Sequence, residues 1–237
     1  FLNFGGNNVV AVRAENKPNS TRWYPGAGIY RHVWITEANP VHVAHWGVFV
    51  TVPEIKGIRR IDDRRPQKEY KASSARISVD TTVANAGEKP ARVEVTQEVF
   101  PLKGKKDKPL AARTSAETDV PAGGEKTVAM EFPLSSPSLW DVLSPSLYVL
   151  RTTVKIDGKT TDRQDTVFGV RKAEWKPDGF YLNNRRVQIK GVCQHHDLGP
   201  LGGAVHKRAI ERQVEILKSF GVNSIRTSHN PPAPELL

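Results

Sequence analysis

The chain has 237 residues, and its 35 Lys and Arg against 25 Asp and Glu give a formal net charge of +10 at neutral pH. Hydrophobic residues make up 38% of the sequence, which suffices for packed cores, and no run of about 18 apolar residues is present, so no membrane-spanning helix is predicted. The single cysteine, Cys193, excludes an internal disulfide framework.

The first 39 residues are predicted to be the end of an earlier β-sandwich. Val10, Val12 and Ala14 alternate with other residues in the pattern typical of a strand. An aromatic, Gly-rich loop over residues 22–31 follows, either as a corner between strands or as part of a binding site. A segment of this length is too short to build a core of its own.

Residues 40–170 are predicted to form an antiparallel β-sandwich of the immunoglobulin-like kind. Apolar and polar residues alternate with a period of two over 77–80, 92–99 and 127–132, and a further strand is predicted over 41–52. The pair Asp157-Gly158, between two strand-like runs, predicts a tight hairpin. We expect Trp140 and Tyr148 to be largely buried in or beside this core.

In the last third of the chain the hydrophobic period changes, and a strand–helix–strand unit is predicted. Residues 187–193 form a strand of the buried type. The apolar spacing over 207–220 is that of a helix, and Gly221 stands where a C-terminal capping glycine belongs. With a second strand over 222–226, the unit is a βαβ crossover, whose two strands run parallel.

Polar side chains follow both of these strands at their carboxyl ends. Gln194-His195-His196-Asp197 comes after the first strand, and Thr227-Ser228-His229-Asn230 comes after the second. The carboxyl ends of the strands build the active site in α/β barrels. These two clusters are therefore the candidate site.

Arg226 is predicted to point into such a barrel. It shares a strand face with Ser224, whereas Ile225 lies on the opposite face and is expected to pack against the helix. A buried guanidinium without an anion costs several kcal/mol. The position of Arg226 therefore implies a carboxylate from elsewhere in the fold.

Other roles for these residues are also considered. His195, His196 and Asp197 have the composition of half a metal site, but adjacent residues of a strand point apart. Either histidine would alternatively cap a strand end. Cys193 is interpreted as a small core residue rather than as a nucleophile.

The positive charge is concentrated between Lys56 and Arg113, where fifteen Lys or Arg stand against eight Asp or Glu. Acidic residues interrupt the densest basic runs, and Gly or Pro flanks them, which favours solvated loops between strands. We therefore expect no nucleic-acid partner. Polyanion binding by this stretch stays as the alternative.

Neither end of the sequence resembles a natural terminus, since Phe1 is not a Met and Leu237 follows a turn at the start of a new helix. We therefore expect a piece of a longer protein. Periplasmic, secreted and cytoplasmic locations all stay open, because a signal peptide would precede Phe1.

Five motifs occur in the order found in glycoside hydrolase family 2, and essentially the whole chain resembles the β-galactosidases of that family. They are RWYPGAGIYR over 22–31, SPSLW with LY over 136–148, FGVR over 168–171, KGVCQHHD over 190–197 and IRTSHNPP over 225–232. The resemblance implies a multidomain protein with three parts: the end of a jelly-roll sugar-binding domain (1–39), an immunoglobulin-like β-sandwich (40–170) and the start of a (β/α)8 catalytic barrel (171–237).

The resemblance also implies roles for single residues. His195 and His229 look like the two histidines of the family that contact the substrate, and Arg226 looks like the arginine that hydrogen-bonds the nucleophilic glutamate. The acid/base and nucleophile glutamates of the family belong to later barrel strands, beyond Leu237. No catalytic residue is therefore assigned within the chain, which by itself is expected to hydrolyse nothing.

The function that the resemblance implies is hydrolysis of terminal β-D-galactosides by a retaining double displacement. A β-glucuronidase of the same family and a non-catalytic carbohydrate-binding sandwich are the alternatives. The expected partner is a β-galactoside or a related glycan, without nucleic acid or membrane, and a homo-oligomer stays open. No cofactor and no metal ligand is established, and Mg²⁺ or Na⁺ is a candidate only for the full-length enzyme.

Overall fold

The computed structural model describes residues 2–3, 5–15, 17–19, 28–29, 31–61, 69–103, 108–115, 117–195, 198–204, 206–229 and 231–237. They form two compact units. Ile35–Ile189 is the first unit, and Phe1–Trp34 together with Lys190–Leu237 is the second. The predicted limits between the jelly-roll, sandwich and barrel parts, after residues 39 and 170, stay predictions.

The first unit contains the immunoglobulin-like sandwich that the alternating pattern predicts. In chain order its strands are β1 (Val41–Lys56), β2 (Arg59–Ile61), β3 (Glu69–Lys71), β4 (Ser74–Asn85), β5 (Ala91–Pro101), β6 (Ala111–Thr114), β7 (Thr118–Val120), β8 (Gly124–Ser135), β9 (Tyr148–Ile156) and β10 (Lys159–Phe168). One sheet has the order β1-β4-β8 and the other β10-β9-β5-β6, all antiparallel; β7 pairs with β5, and β2 with β3.

Turn chemistry sets the predicted hairpin between β9 and β10. Asp157 and Gly158 both have positive φ, 48° and 75°, as a type I′ turn requires. The strands pair across it with Lys159 opposite Ile156. The prediction from the Asp-Gly pair is confirmed.

Two apolar clusters fill the space between the sheets, and a polar layer separates them. One cluster includes Ile77, Val79, Val99 and Leu150, and the other includes Val83, Val93, Val95 and Val154.

The polar layer consists of Thr81 on β4, Gln97 on β5 and Thr152 on β9, each with 0% exposure. The amide of Gln97 donates to the Thr81 hydroxyl at 2.8 Å and accepts from the Thr152 hydroxyl at 2.8 Å. The layer therefore joins the two sheets through hydrogen bonds in the middle of an otherwise apolar interior.

Tyr148 and Trp140 differ in burial. Tyr148 is 6% exposed, as expected. Trp140 is half-buried, and the guanidinium carbon of Arg171 lies 5.0 Å from the centre of its ring. The expectation of burial is met in full only by Tyr148, because one side of the Trp140 ring lies against the exposed cation of Arg171 instead of the core.

A small antiparallel sheet completes the first unit, with strands β11 (Ala173–Lys176), β12 (Gly179–Leu182) and β13 (Arg185–Arg186). Arg185 donates to both carboxylate oxygens of Asp141, at 3.2 and 3.0 Å, and the Asp141 side chain is 2% exposed. The buried Asn183 donates to the Trp140 carbonyl. These bonds attach the small sheet to the end of the sandwich.

The second unit contains the predicted βαβ crossover, formed by β14 (Gly191–Gln194), α1 (Lys207–Ser219) and β15 (Ser224–Thr227). The two strands run parallel. Single turns of 3₁₀ helix lie at Gly199–Leu201 and Pro234–Leu236.

Helix α1 ends as predicted, at a Schellman motif. Gly221 has φ of 80°, its N–H donates to the Lys218 carbonyl, and the Val222 N–H donates to the Leu217 carbonyl. Among the described residues, no helix is long and apolar enough to cross a membrane.

Two expectations for this unit are wrong. The strand expected around Val10–Ala14 is not formed, and none of the described residues before Pro40 belongs to a helix or strand. A strand requires a hydrogen-bonding neighbour, and none pairs with this segment among the described residues. The strand expected over 187–193 forms only from Gly191, and none of its residues is buried, because its sheet has two strands among the described residues. The jelly-roll assignment stays a prediction.

Candidate functional site

The register of the parallel strands defines the two faces of the second unit's sheet. Cys193 lies opposite Arg226, and Gln194 lies opposite Thr227. The side-chain amide of Gln194 donates to the Gln213 side chain of α1 at 2.6 Å, so the Gln194 face is the helix face. Cys193 and Arg226 therefore share the opposite face, which in a (β/α)8 barrel is the interior.

His195 and His229 lie together beyond the carboxyl ends of β14 and β15. Their ring centroids are 6.1 Å apart with an interplanar angle of 60°, and both residues are exposed. His229 has φ of 65°, the left-handed region that few non-glycine residues adopt. Two neutral imidazoles at this separation can donate to and accept from neighbouring hydroxyl groups of one ligand, whereas a protonated imidazole can only donate.

Arg226 is exposed, and one of its terminal nitrogens donates to the Cys193 sulfur at 3.7 Å. Within the described ranges, no Asp or Glu forms an ion pair with it. The carboxylate expected to accompany Arg226 stays a prediction. Cys193 itself is exposed, so its interpretation as a core residue is wrong; among the described residues, nothing packs over this face of the sheet closely enough to bury it.

A small cavity of about 30 Å³ lies on the helix side of the site. Its lining includes Gln194, His195, Ile210, Thr227 and Ser228. This volume accommodates about one water molecule, whereas pockets for small ligands measure several hundred Å³.

Arg31 and His32 contact the segment that follows His229. Arg31 donates to the Pro231 carbonyl at 2.6 Å and to the Pro232 carbonyl at 3.4 Å. His32 lies 3.5 Å from the Glu235 carboxylate. Arg31 ends the aromatic, Gly-rich loop, and its partners could not be predicted from the sequence because a contact over 200 positions leaves no local pattern.

Several residues of the expected site lie outside the described residues: His196, Asp197, Asn230 and residues 22–27 and 30 of the aromatic loop. In the part of the chain that the structure describes, no three His, Cys, Asp or Glu side chains are grouped so as to hold a metal ion.

Two family profiles match the chain. "Glycosyl hydrolases family 2" matches residues 60–171, and "Glycosyl hydrolases family 2, TIM barrel domain" matches residues 174–237. The first match falls mainly on the sandwich, and the second begins at β11 and includes the βαβ crossover.

Named relatives extend this similarity over the whole chain. "Beta-galactosidase BoGH2A" of Bacteroides ovatus is 40% identical over 100% of the chain, which covers 26% of that protein. "Beta-glucuronidase" of Bacteroides fragilis is 25% identical over 98% of the chain, which covers 32% of that protein. The chain thus spans about a quarter to a third of these relatives.

Solved structures share this fold. A glycosyl hydrolase family 2 member from Bacteroides cellulosilyticus superposes with a TM-score of 0.80 at 30% identity, covering 94% of this chain and 28% of that one. A Bacteroides uniformis β-glucuronidase superposes with a TM-score of 0.77 at 25% identity, covering 92% and 25%.

Proposed function

The chain belongs to glycoside hydrolase family 2, and we propose that it is the part of a retaining β-galactosidase that supplies two sugar contacts and one positioning arginine. The observation that carries the proposal is the pairing of His195 with His229, 6.1 Å apart beyond the carboxyl ends of the first two parallel strands. Arg226 lies on the barrel-facing side of the same strands.

In the proposed reaction, one carboxylate attacks the anomeric carbon and forms a glycosyl-enzyme, while the other protonates the departing oxygen. Water, deprotonated by the second group, then releases the sugar with its configuration retained, and the two carboxyls stand about 5–5.5 Å apart. Both carboxylates are expected beyond Leu237. His195 and His229 would bind sugar hydroxyls, and these bonds strengthen as charge develops in the transition state.

Arg226 has the role of holding the nucleophilic carboxylate. A guanidinium offers two parallel N–H donors to a carboxylate, which fixes the orientation of that group and favours its charged form. The exposed Arg226 face of the two-stranded sheet leaves space for such a group from a later strand.

A β-glucuronidase is the second candidate, because relatives with that name match nearly the whole chain. That enzyme must also bind the carboxylate of its sugar. A panel of nitrophenyl β-galactoside, β-glucuronide, β-mannoside and β-glucoside, tested with the full-length protein, separates the candidates. Fastest turnover of the galactoside with retained configuration supports the proposal, whereas preference for the glucuronide replaces it, and no turnover at all favours a carbohydrate-binding module.

His229→Ala in the full-length protein is expected to remove about 2–4 kcal/mol of transition-state stabilisation, which is measured as a fall in kcat/KM. This is the scale of one lost hydrogen-bond donor aimed at developing charge. Arg226→Ala should lower kcat strongly. His206→Ala is the matched control, since His206 is exposed and its side chain makes no capping bond to α1. Unchanged kcat/KM in His229→Ala would show that this histidine only caps a strand end.

A further inference from the structure

We propose that Arg31 is a positioning residue for His229, acting through the loop that follows β15. The proposal rests on the proposed sugar contact of His229. Arg31 is half-buried, and its guanidinium donates to two consecutive carbonyls, those of Pro231 at 2.6 Å and Pro232 at 3.4 Å. Neither Pro231 nor Pro232 is part of a helix or strand.

The loop is held at both of its ends. At its start the Ser228 N–H donates to the Gln194 carbonyl, and Ser228 is 5% exposed. At its end Ala233 is buried against Ile210 of α1. Between these two anchors lie His229, with its left-handed φ of 65°, and the two prolines.

The prolines explain why a side chain from elsewhere is needed. Proline has no N–H, so Pro231 and Pro232 cannot continue the hydrogen-bond ladder of β15. The backbone of these two residues offers only its carbonyl oxygens, which accept hydrogen bonds. A left-handed backbone at a bulky residue persists only where the surroundings determine it. The two bonds from Arg31 provide that determination within two residues of His229.

The geometry also requires an arginine. Two carbonyls on successive residues diverge, and a planar guanidinium reaches both with separate N–H groups, whereas a lysine ammonium is a point charge on a flexible stem. The adjacent His32 lies 3.5 Å from the carboxylate of Glu235, in the 3₁₀ turn that follows the loop, so residues 31–32 contact both the loop, at Pro231, and the turn after it. Arg31 thereby selects one placement of the His229 ring relative to His195.

The test is a double-mutant cycle in the full-length protein, with the nitrophenyl glycoside that it hydrolyses fastest. Arg31→Ala should lower kcat/KM by about 10- to 100-fold, the effect of a displacement near 1 Å at a contact to the reacting sugar. In a His229→Ala background the same change should lower it by less than about threefold, because Arg31 acts through His229. A structural role alone would give equal factors in both backgrounds and would overturn the proposal.

Arg31→Lys keeps the charge, and it replaces Arg31→Ala in the comparison if Arg31→Ala unfolds. The Arg31→Lys protein should lose activity while its melting temperature stays close to that of the wild type. Arg13→Ala is the matched control, an exposed arginine of the same unit paired only with the nearby Glu15 among the described residues. A large loss in His229→Ala with none in Arg31→Lys overturns the positioning role alone. No loss in His229→Ala overturns the sugar contact and this proposal together.

Discussion

Tyr148 shows how a buried polar group is satisfied in this protein. Its hydroxyl donates to the Ser138 carbonyl at 3.1 Å and accepts from the Ser138 N–H at 2.8 Å. Burial raises the pKa of this phenol above its ordinary value, and the bonds to Ser138 offset only part of that effect. The phenol therefore binds its proton more tightly in the folded state than in the unfolded state.

This difference predicts a loss of stability at alkaline pH. Because the folded pKa is raised, the contribution of Tyr148 is complete below the unfolded value of about 10 and disappears as the pH rises through the folded value. Tyr148→Phe should cost about 1 kcal/mol at neutral pH, and it should then lose less stability than the wild type above pH of about 10. Urea unfolding of both proteins across this range is the measurement, and parallel losses would contradict the expectation.

At the scale of secondary structure elements, the polar layer of Thr81, Gln97 and Thr152 decides how strands β4, β5 and β9 pack. All three residues point inward at positions where their neighbours two residues away are apolar. The Gln97 amide uses one donor and one acceptor for the two threonines. A shift of either sheet by two residues would place this amide among valines, so the layer favours one alignment of the sheets.

Thr81→Val should therefore destabilise the sandwich by about 1–3 kcal/mol, because it leaves a donor of the buried Gln97 amide unsatisfied. Thr82→Val is the matched control. Thr82 is the next residue of β4, and its hydroxyl bonds to Thr127 on the exposed face, so a change within about 0.5 kcal/mol is expected.

Replacing the whole layer should cost less than breaking it. The triple variant Thr81→Val, Gln97→Leu and Thr152→Val removes all partners together, and such a replacement can be nearly neutral. Chemical denaturation of the single and triple variants decides the point. A triple variant less stable than Thr81→Val would mean that packing, rather than hydrogen bonding, limits this layer.

At the scale of the whole molecule, the two units differ in how much apolar surface they bury. The sandwich holds two clusters of buried side chains, whereas the buried apolar residues of the second unit are Ile210 and Ala233 among those the structure describes. Local opening is easiest where few apolar contacts are lost. In the isolated chain, amides of α1, β14 and β15 should thus exchange with solvent faster than those of β4, β5 and β9 in a deuterium-exchange experiment. Equal protection of both sets would contradict this.

The isolated chain is also expected to be catalytically silent. Both carboxylates of the proposed mechanism are expected beyond Leu237, and sugar contacts alone leave the glycosidic bond uncleaved. Purified chain and full-length protein should be compared with the same nitrophenyl glycoside. Turnover by the chain, after removal of host enzymes, would mean that its own residues carry the chemistry.

What the sequence alone determined about this protein is local. The period of two along β4, β5 and β8, the Asp157-Gly158 hairpin and the glycine at the end of α1 each depend on a few neighbouring residues, and each is present in the structure. The same period placed Arg226 on the face away from the helix, where the register of β14 and β15 puts it. For the site, proximity of His195 and His229 followed from the parallel arrangement.

Tertiary structure alone decided which side chains meet across long separations. The Gln97 bonds to Thr81 and Thr152 span 16 and 55 positions, and the Arg31 bond to Pro231 spans 200. Periodicity states which face a residue occupies, but the partner on that face is set by how separate elements pack. The exposure of Cys193 has the same origin, since burial of a strand depends on neighbours that its own sequence does not encode.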